Sequence, residues 1–242
     1  MTERKGLTSE PTPAALRTRI LAGTLYAAGR YVPLPLVDHL VREQVARWLV
    51  RSTVPAGLPK EHTRVLYADS AGCLGGALRA LFMIPIKLIL FPIRKVLAVV
   101  LGVRWVARDL AEMLLLGRVI DHAVAEGLLA DSPTLADDAK DLKTSFDVAM
   151  KGTDTRLLVA LFGTATSPLR GALAPALRAL RSLRRSSDEA PTPESTAELD
   201  PTVSRIQAML QTPEVRRFVD EFDQRVMENL AVLRQRRTPR AG

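Results

Sequence analysis

Thirty-nine consecutive residues, Ser70 to Arg108, contain no Asp or Glu, yet carry Arg79, Lys87, Arg94, Lys95, Arg104 and Arg108. Between these cations the stretch is almost wholly aliphatic, and its centre is a sevenfold near-repeat. Ile84-Pro85-Ile86-Lys87-Leu88-Ile89-Leu90 is followed at once by Phe91-Pro92-Ile93-Arg94-Lys95-Val96-Leu97. A soluble core rarely takes up six cations without an anion, because buried charge must be paired. A membrane span rarely carries so many charges either.

Ala80 to Val103 is 24 residues long, enough to cross a bilayer. Lys87, Arg94 and Lys95 fall near its middle, and each central cation costs about 2.5 to 3.5 kcal/mol on insertion. The large apolar residues return only about 0.3 to 0.6 kcal/mol each, so the sum lies close to zero before the prolines are counted. A single span is therefore marginal.

A surface-lying arrangement suits the charges better. On one continuous helix, Arg79, Lys87, Arg94, Arg104 and Arg108 would fall within roughly 100° of arc, with Lys95 outside it. Long basic side chains can then reach anionic head groups while Leu, Ile and Phe enter the acyl boundary. Phe82, Phe91 and Trp105 would sit at the level that amphipathic rings favour. Pro85 and Pro92 each remove a helix hydrogen bond, so the segment is expected to be kinked or broken. The competing arrangement is a buried helix pair within a soluble bundle, with the cations at its ends and edges.

Charge is unevenly distributed outside this stretch too. Residues 109–154 carry 10 acids and 4 bases, whereas residues 155–187 carry 6 bases and no acid. Two basic blocks thus flank an acidic one, which could neutralise both internally. The formal charge of the whole chain is +8, a balance that points to an anionic partner. The basic helix expected over 168–185 offers a second cationic face.

Apolar residues make up 47% of the 242, so a substantial core is available and wholesale disorder is excluded. Aromatic content of only 5%, with many Leu, Ala and Arg, favours helices over strands. Cys73 is the single cysteine, which rules out an intrachain disulfide and fits a reducing compartment. The first residues lack the apolar region of a secretory signal.

Periodicity divides the chain into a tail over 1–13, a helical domain over 14–185, a linker over 186–200 and a C-terminal helical pair over 201–242. Within the domain, helices are expected from Ala14 to Arg30 and from Val37 to about Arg51, with a loop over 52–63. Arg104 to about Leu129 and Leu135 to Lys151 follow, the latter closed by Gly152 as a left-handed residue. Thr153 or Asp154 can cap the next helix, and Thr212 the last, which is expected over Pro213 to about Gln235. The apolar stripe of that last helix includes Phe218, Phe222 and Leu230, and must pack on the body or on a partner.

The segment Pro33-Leu34-Pro35-Leu36-Val37-Asp38-His39-Leu40 resembles the proline–aliphatic–Asp stretch of EcsC-like and YcjF-like bacterial proteins. The likeness covers about ten residues. It implies a membrane-associated helical protein without an established chemistry.

No reaction is legible. Val37-Asp38-His39-Leu40-Val41-Arg42-Glu43 and Ile120-Asp121-His122-Ala123-Val124-Ala125-Glu126 share one pattern, in which His and Glu stand one helical turn apart. Their four side chains could ligate a metal, but chance or a worn duplication explains the pattern as well. Gly72-Cys73-Leu74-Gly75-Gly76 lacks the lysine and serine spacing of a phosphate-binding loop. No zinc-finger spacing, RNP motif or aromatic platform for nucleic acid is present.

The sequence thus predicts an all-α fold, an irregular bundle of about seven or eight helices. It predicts a non-enzymatic, peripheral membrane protein at the cytoplasmic face of the inner membrane, with no cofactor, metal or small-molecule substrate. Anionic lipids are the expected partner, through Arg79, Phe82, Lys87, Phe91, Arg94, Lys95, Arg104 and Trp105. The alternative is a soluble adaptor that holds a protein, or less readily nucleic acid, with Phe218, Phe222 and Leu230 as the partner-binding residues of its last helix.

Overall fold

In the computed structural model, residues 13–29, 37–55, 57–67, 91–166 and 200–237 are described. They form eight α-helices and one 3-10 turn, with no strand among them, so the all-α expectation holds. The helices are α1 (Pro13–Gly29), α2 (Val37–Thr53), α3 (Lys60–Thr63), α4 (Phe91–Ala125), α5 (Leu135–Lys151), α6 (Thr155–Thr166), α7 (Asp200–Leu210) and α8 (Pro213–Arg237). The 3-10 turn, Arg64–Leu66, follows α3 directly.

Helix α4 is the hub, packed against α1, α2 and α6 and touching α5 and α8. Its buried residues recur with the spacing of a helix enclosed on several sides: Leu110, Ala111, Met113, Leu114 and Leu115 are all covered. The tightest crossing is with α1. A Cβ on Gly23 would lie 2.6 Å from Leu110 Cδ1 and 3.3 Å from the Leu110 carbonyl oxygen. Buried Ala22 and Ala27 on α1, and Ala107 and Ala111 on α4, are the small neighbours such an approach needs.

The C-terminal helices close the other side. Helix α8 lays Val215, Phe218, Val219, Phe222, Val226 and Leu230 inward, chiefly against α5. Phe222 meets Phe146 edge-on at 5.7 Å, and Phe218 meets Phe162 at 6.4 Å. Such edge-to-face pairs add roughly 0.5–1.5 kcal/mol beyond area burial. Helix α7 packs on α1 and α6, with Ile206 fully buried.

Several boundaries differ from expectation. Helix α4 begins at Phe91 rather than Arg104, and Pro92 stands in its first turn, where a missing N–H breaks no helical bond. It ends at Ala125, four residues early, because Gly127 adopts a left-handed φ of 70°. There the Leu128 N–H bonds the Ala123 carbonyl at 2.8 Å and the Gly127 N–H bonds Val124 at 3.0 Å, the paired bonds of a Schellman cap.

Gly152, expected to be left-handed, has φ −76° instead. The Thr153 hydroxyl donates to the Ala149 carbonyl at 2.9 Å and the Gly152 N–H to Val148 at 3.1 Å, so α5 closes without a backbone reversal. The expected loop over 52–63 contains α3, launched where the Pro59 carbonyl accepts from the N–H groups of His62 and Thr63. Asp154, not Thr153, caps α6, its Oδ1 accepting from the Arg156 N–H at 2.8 Å. Thr212 supplies α8 with a main-chain acceptor for Arg216, while its hydroxyl turns back to Met209.

Candidate functional site

The acid-free segment enters the described fold at Phe91. Arg79, Phe82, Lys87 and Cys73 lie outside the described residues, as do the 168–185 helix and all of the 186–200 linker except Asp200. Phe91, Arg94, Lys95, Arg104 and Trp105 all belong to the first fifteen residues of α4. At 100° per residue, positions 94, 104 and 108 of this one helix fall within about 80° of arc. From Val106 onward the same helix is core. The described part of the basic segment, residues 91–108, is therefore continuous with the hub of the bundle.

Phe218, Phe222 and Leu230, the residues expected to meet a partner, are 5%, 0% and 3% exposed. Their stripe is taken up by α5 and α6 of the same chain, so it offers no docking face. The sequence left both outcomes open, and packing on the body is the one realised.

Among the described residues, five of the ten acids of 109–154 pair with cations that lie outside the two basic blocks. Asp121 takes Arg19 of α1, and Asp109 lies 3.5 Å from Arg42 of α2. Asp138 is held by Arg234 at 2.8 Å and Arg237 at 2.7 Å, both from α8, and Asp141 by Arg237 at 3.1 Å. Asp147 pairs with Lys143 one turn before it. Within the basic segment, Arg108 is the cation whose side chain is described, and its charge acts on Glu112, four residues later.

One polar cluster among the described residues has no counterpart in the sequence expectations. It joins Tyr26 of α1, Arg42 of α2, and Asp109 and Glu112 of α4. The Arg42 guanidinium lies 4.1 Å over the Tyr26 ring, and its Nη2 donates to the Tyr26 hydroxyl oxygen at 2.6 Å. That hydroxyl stands 3.5 Å from Glu112 Oε1, while the Asp109 side chain is completely buried. Burial, with Glu112 and Asp109 adding to it, pushes the Tyr26 phenol above its ordinary 10.0 against the pull of Arg42. Burial would lower the Arg42 guanidinium, but Asp109, Tyr26 and Glu112 outweigh it and raise the net value. One signal was available: Asp109 and Glu112 are the first two acids after the 39 acid-free residues, three apart on one helical face.

A second cluster binds α1 and α8 to α4. Arg118 reaches Asp223 at 2.6 Å and Asp220 at 3.0 Å, one turn from the Arg19–Asp121 pair. Burial raises the Asp223 carboxyl, with Arg118 opposing. His122 lies near enough to act on Asp223, and Glu126 is exposed. Among the described residues, no three His, Cys, Asp or Glu side chains gather as a metal site. No described helix is long and apolar enough to cross a membrane.

No protein-family model matches this chain, nor does any curated protein or solved structure.

Proposed function

We propose that the chain is a non-catalytic, membrane-associated helical protein that holds an anionic lipid surface through the basic apolar segment over 79–108. The observation that carries this reading is the pairing of five acids of the acidic block with cations outside the segment. Asp109, Asp121, Asp138, Asp141 and Asp147 each engage a cation of α1, α2, α8 or α5. Internal neutralisation by the acidic block is the main competing explanation for the acid-free segment, and the engagement of these five acids with other cations supports the membrane reading over it. The continuity of α4 adds a mechanical reason: a surface-bound segment rooted in the hub would fix the orientation of the whole bundle. Each basic residue near an anionic bilayer contributes about 1 kcal/mol, so six suffice for reversible attachment.

Vesicle flotation tests the proposal. At low salt the protein should float with phosphatidylglycerol-containing vesicles, not with pure phosphatidylcholine, and high salt should release it. Arg94→Glu combined with Lys95→Glu should abolish flotation while leaving the far-ultraviolet helix signal unchanged. Absence of flotation at low salt would sink the proposal. Retention through carbonate washing would replace surface binding by insertion.

A further inference from the structure

The Tyr26–Arg42–Asp109–Glu112 cluster brings two carboxylates to the Arg42 guanidinium at the junction of three helices. We propose that Glu112 is the protonation switch of a latch that fastens α2 to α1 and α4. Protonated, it leaves Asp109 as the carboxylate beside Arg42; ionised, it sets a second negative charge there.

The geometry carries the inference. Asp109 is fully buried, with Oδ1 3.5 Å from Arg42 Nη2, so this pair already uses the guanidinium charge. Glu112 follows one turn later on the same face of α4 and reaches the site through the Tyr26 hydroxyl, 3.5 Å away. That hydroxyl accepts from Arg42 at 2.6 Å, leaving its own proton for Glu112 Oε1. Among the described residues, the charged groups that act on Glu112 are Arg42 from α2, Asp109 and Arg108 from α4, and Lys143 from α5; Tyr26 faces it from α1. The Lys143 ammonium is engaged with Asp147, so it serves Glu112 only at longer range.

Two like charges in one desolvated site cannot both ionise freely. Burial, then Asp109, raises the Glu112 carboxyl above its ordinary 4.5, against Arg42, Lys143 and Arg108. A carboxyl raised in the folded state stabilises most fully below the unfolded value, and its contribution falls as pH rises through the folded value. Acid therefore tightens the latch and a rise in pH loosens it. This inference is independent of the membrane reading.

Trp48 of α2 packs partly buried against the core and reports the state of the latch. In the full chain carrying Trp105→Phe, Trp48 is the sole tryptophan. Its emission should shift to the red as pH rises above 4.5 and return on acidification. Glu112→Gln, a neutral isostere, should hold the blue-shifted emission throughout and melt no lower than the parent at neutral pH. Tyr26→Phe removes a donor to the ionised carboxylate and should move the transition to higher pH. An unchanged transition in Glu112→Gln, a Glu112→Gln chain that fails to fold, or no transition in the parent would each overturn the proposal.

Discussion

The side chain of Arg19 crosses Gly117 so closely that a Cβ at position 117 would lie 2.8 Å from both its Cγ and its Cδ. Gly117 sits inside a 35-residue helix, where alanine would ordinarily gain about 0.8–1.0 kcal/mol in helix propensity. Here the missing Cβ makes room for a buried arginine on its way to Asp121. Gly117→Ala should therefore lower the melting temperature despite its better propensity. In an Arg19→Ala background the same change should raise it, a reversal that a double-mutant cycle from thermal melts would read directly. Equal effects in both backgrounds would remove the steric explanation.

The two ends of the Arg19–Asp121 pair are unequal. The Arg19 side chain is 4% exposed and that of Asp121 38%. Burial, then repulsion from Arg118, lowers the Arg19 guanidinium from its ordinary value to about 10, so it remains charged at neutral pH. Asp121→Ala strands that buried cation, and removing one partner of a buried pair costs roughly 3–5 kcal/mol. Arg19→Met leaves behind a carboxylate that water can reach and fills the channel with apolar atoms, so it should cost less than about 1.5 kcal/mol. Chemical denaturation of the two variants separates these outcomes, and equal losses would contradict them.

Why some of this was legible and some not follows from the range of the interactions involved. The bounds of α5 and the starts of α2 and α8 are written locally, in apolar spacing and in start signals such as Thr212-Pro213. The true end of α4 was written there as well, in Gly127, but a periodic pattern continuing through Leu128 and Leu129 concealed it. Pro59 stands directly before α3, yet its neighbours Gly57 and Pro55 give the stretch the composition of a loop. The Tyr26–Arg42–Glu112 cluster depends on three helices meeting, which no spacing rule supplies. The fate of Phe218 and Phe222 turned on a fact absent from their own helix: Phe146 and Phe162 supply rings to receive them.

That aromatic contact makes the joint between α8 and α5 measurable. Phe222 is fully buried, meets Phe146 edge-on and lies 6.4 Å from Phe218. Truncation of such a ring costs about 3–5 kcal/mol through lost burial and the cavity left behind. Phe222→Ala should lose that much in denaturant titration, with amide exchange rising first along α8. Phe222→Leu, which keeps most of the volume, should recover over half of the loss. A loss below about 1 kcal/mol for the alanine variant would mean that α8 contributes little to the core.

Asp138 makes the same joint sensitive to acid. Its Oδ1 takes Arg237 at 2.7 Å and Arg234 at 2.8 Å, while Oδ2 accepts the Thr134 hydroxyl at 2.7 Å. Burial alone would raise this carboxyl, but the bonds from Arg237, Thr134 and Arg234 outweigh it and hold the value below the ordinary 3.8. A depressed carboxyl stabilises the fold above its unfolded value, and that stabilisation disappears as pH falls through the folded value. Asp138→Asn should therefore lower stability at neutral pH, by about 1 kcal/mol once the partial exposure of both arginines is allowed for. Below pH 3.8 the gap between parent and variant should narrow and then close. Thermal melts from neutral to strongly acid solution would reveal this convergence, and a gap constant across that range would exclude the carboxylate's charge as its source.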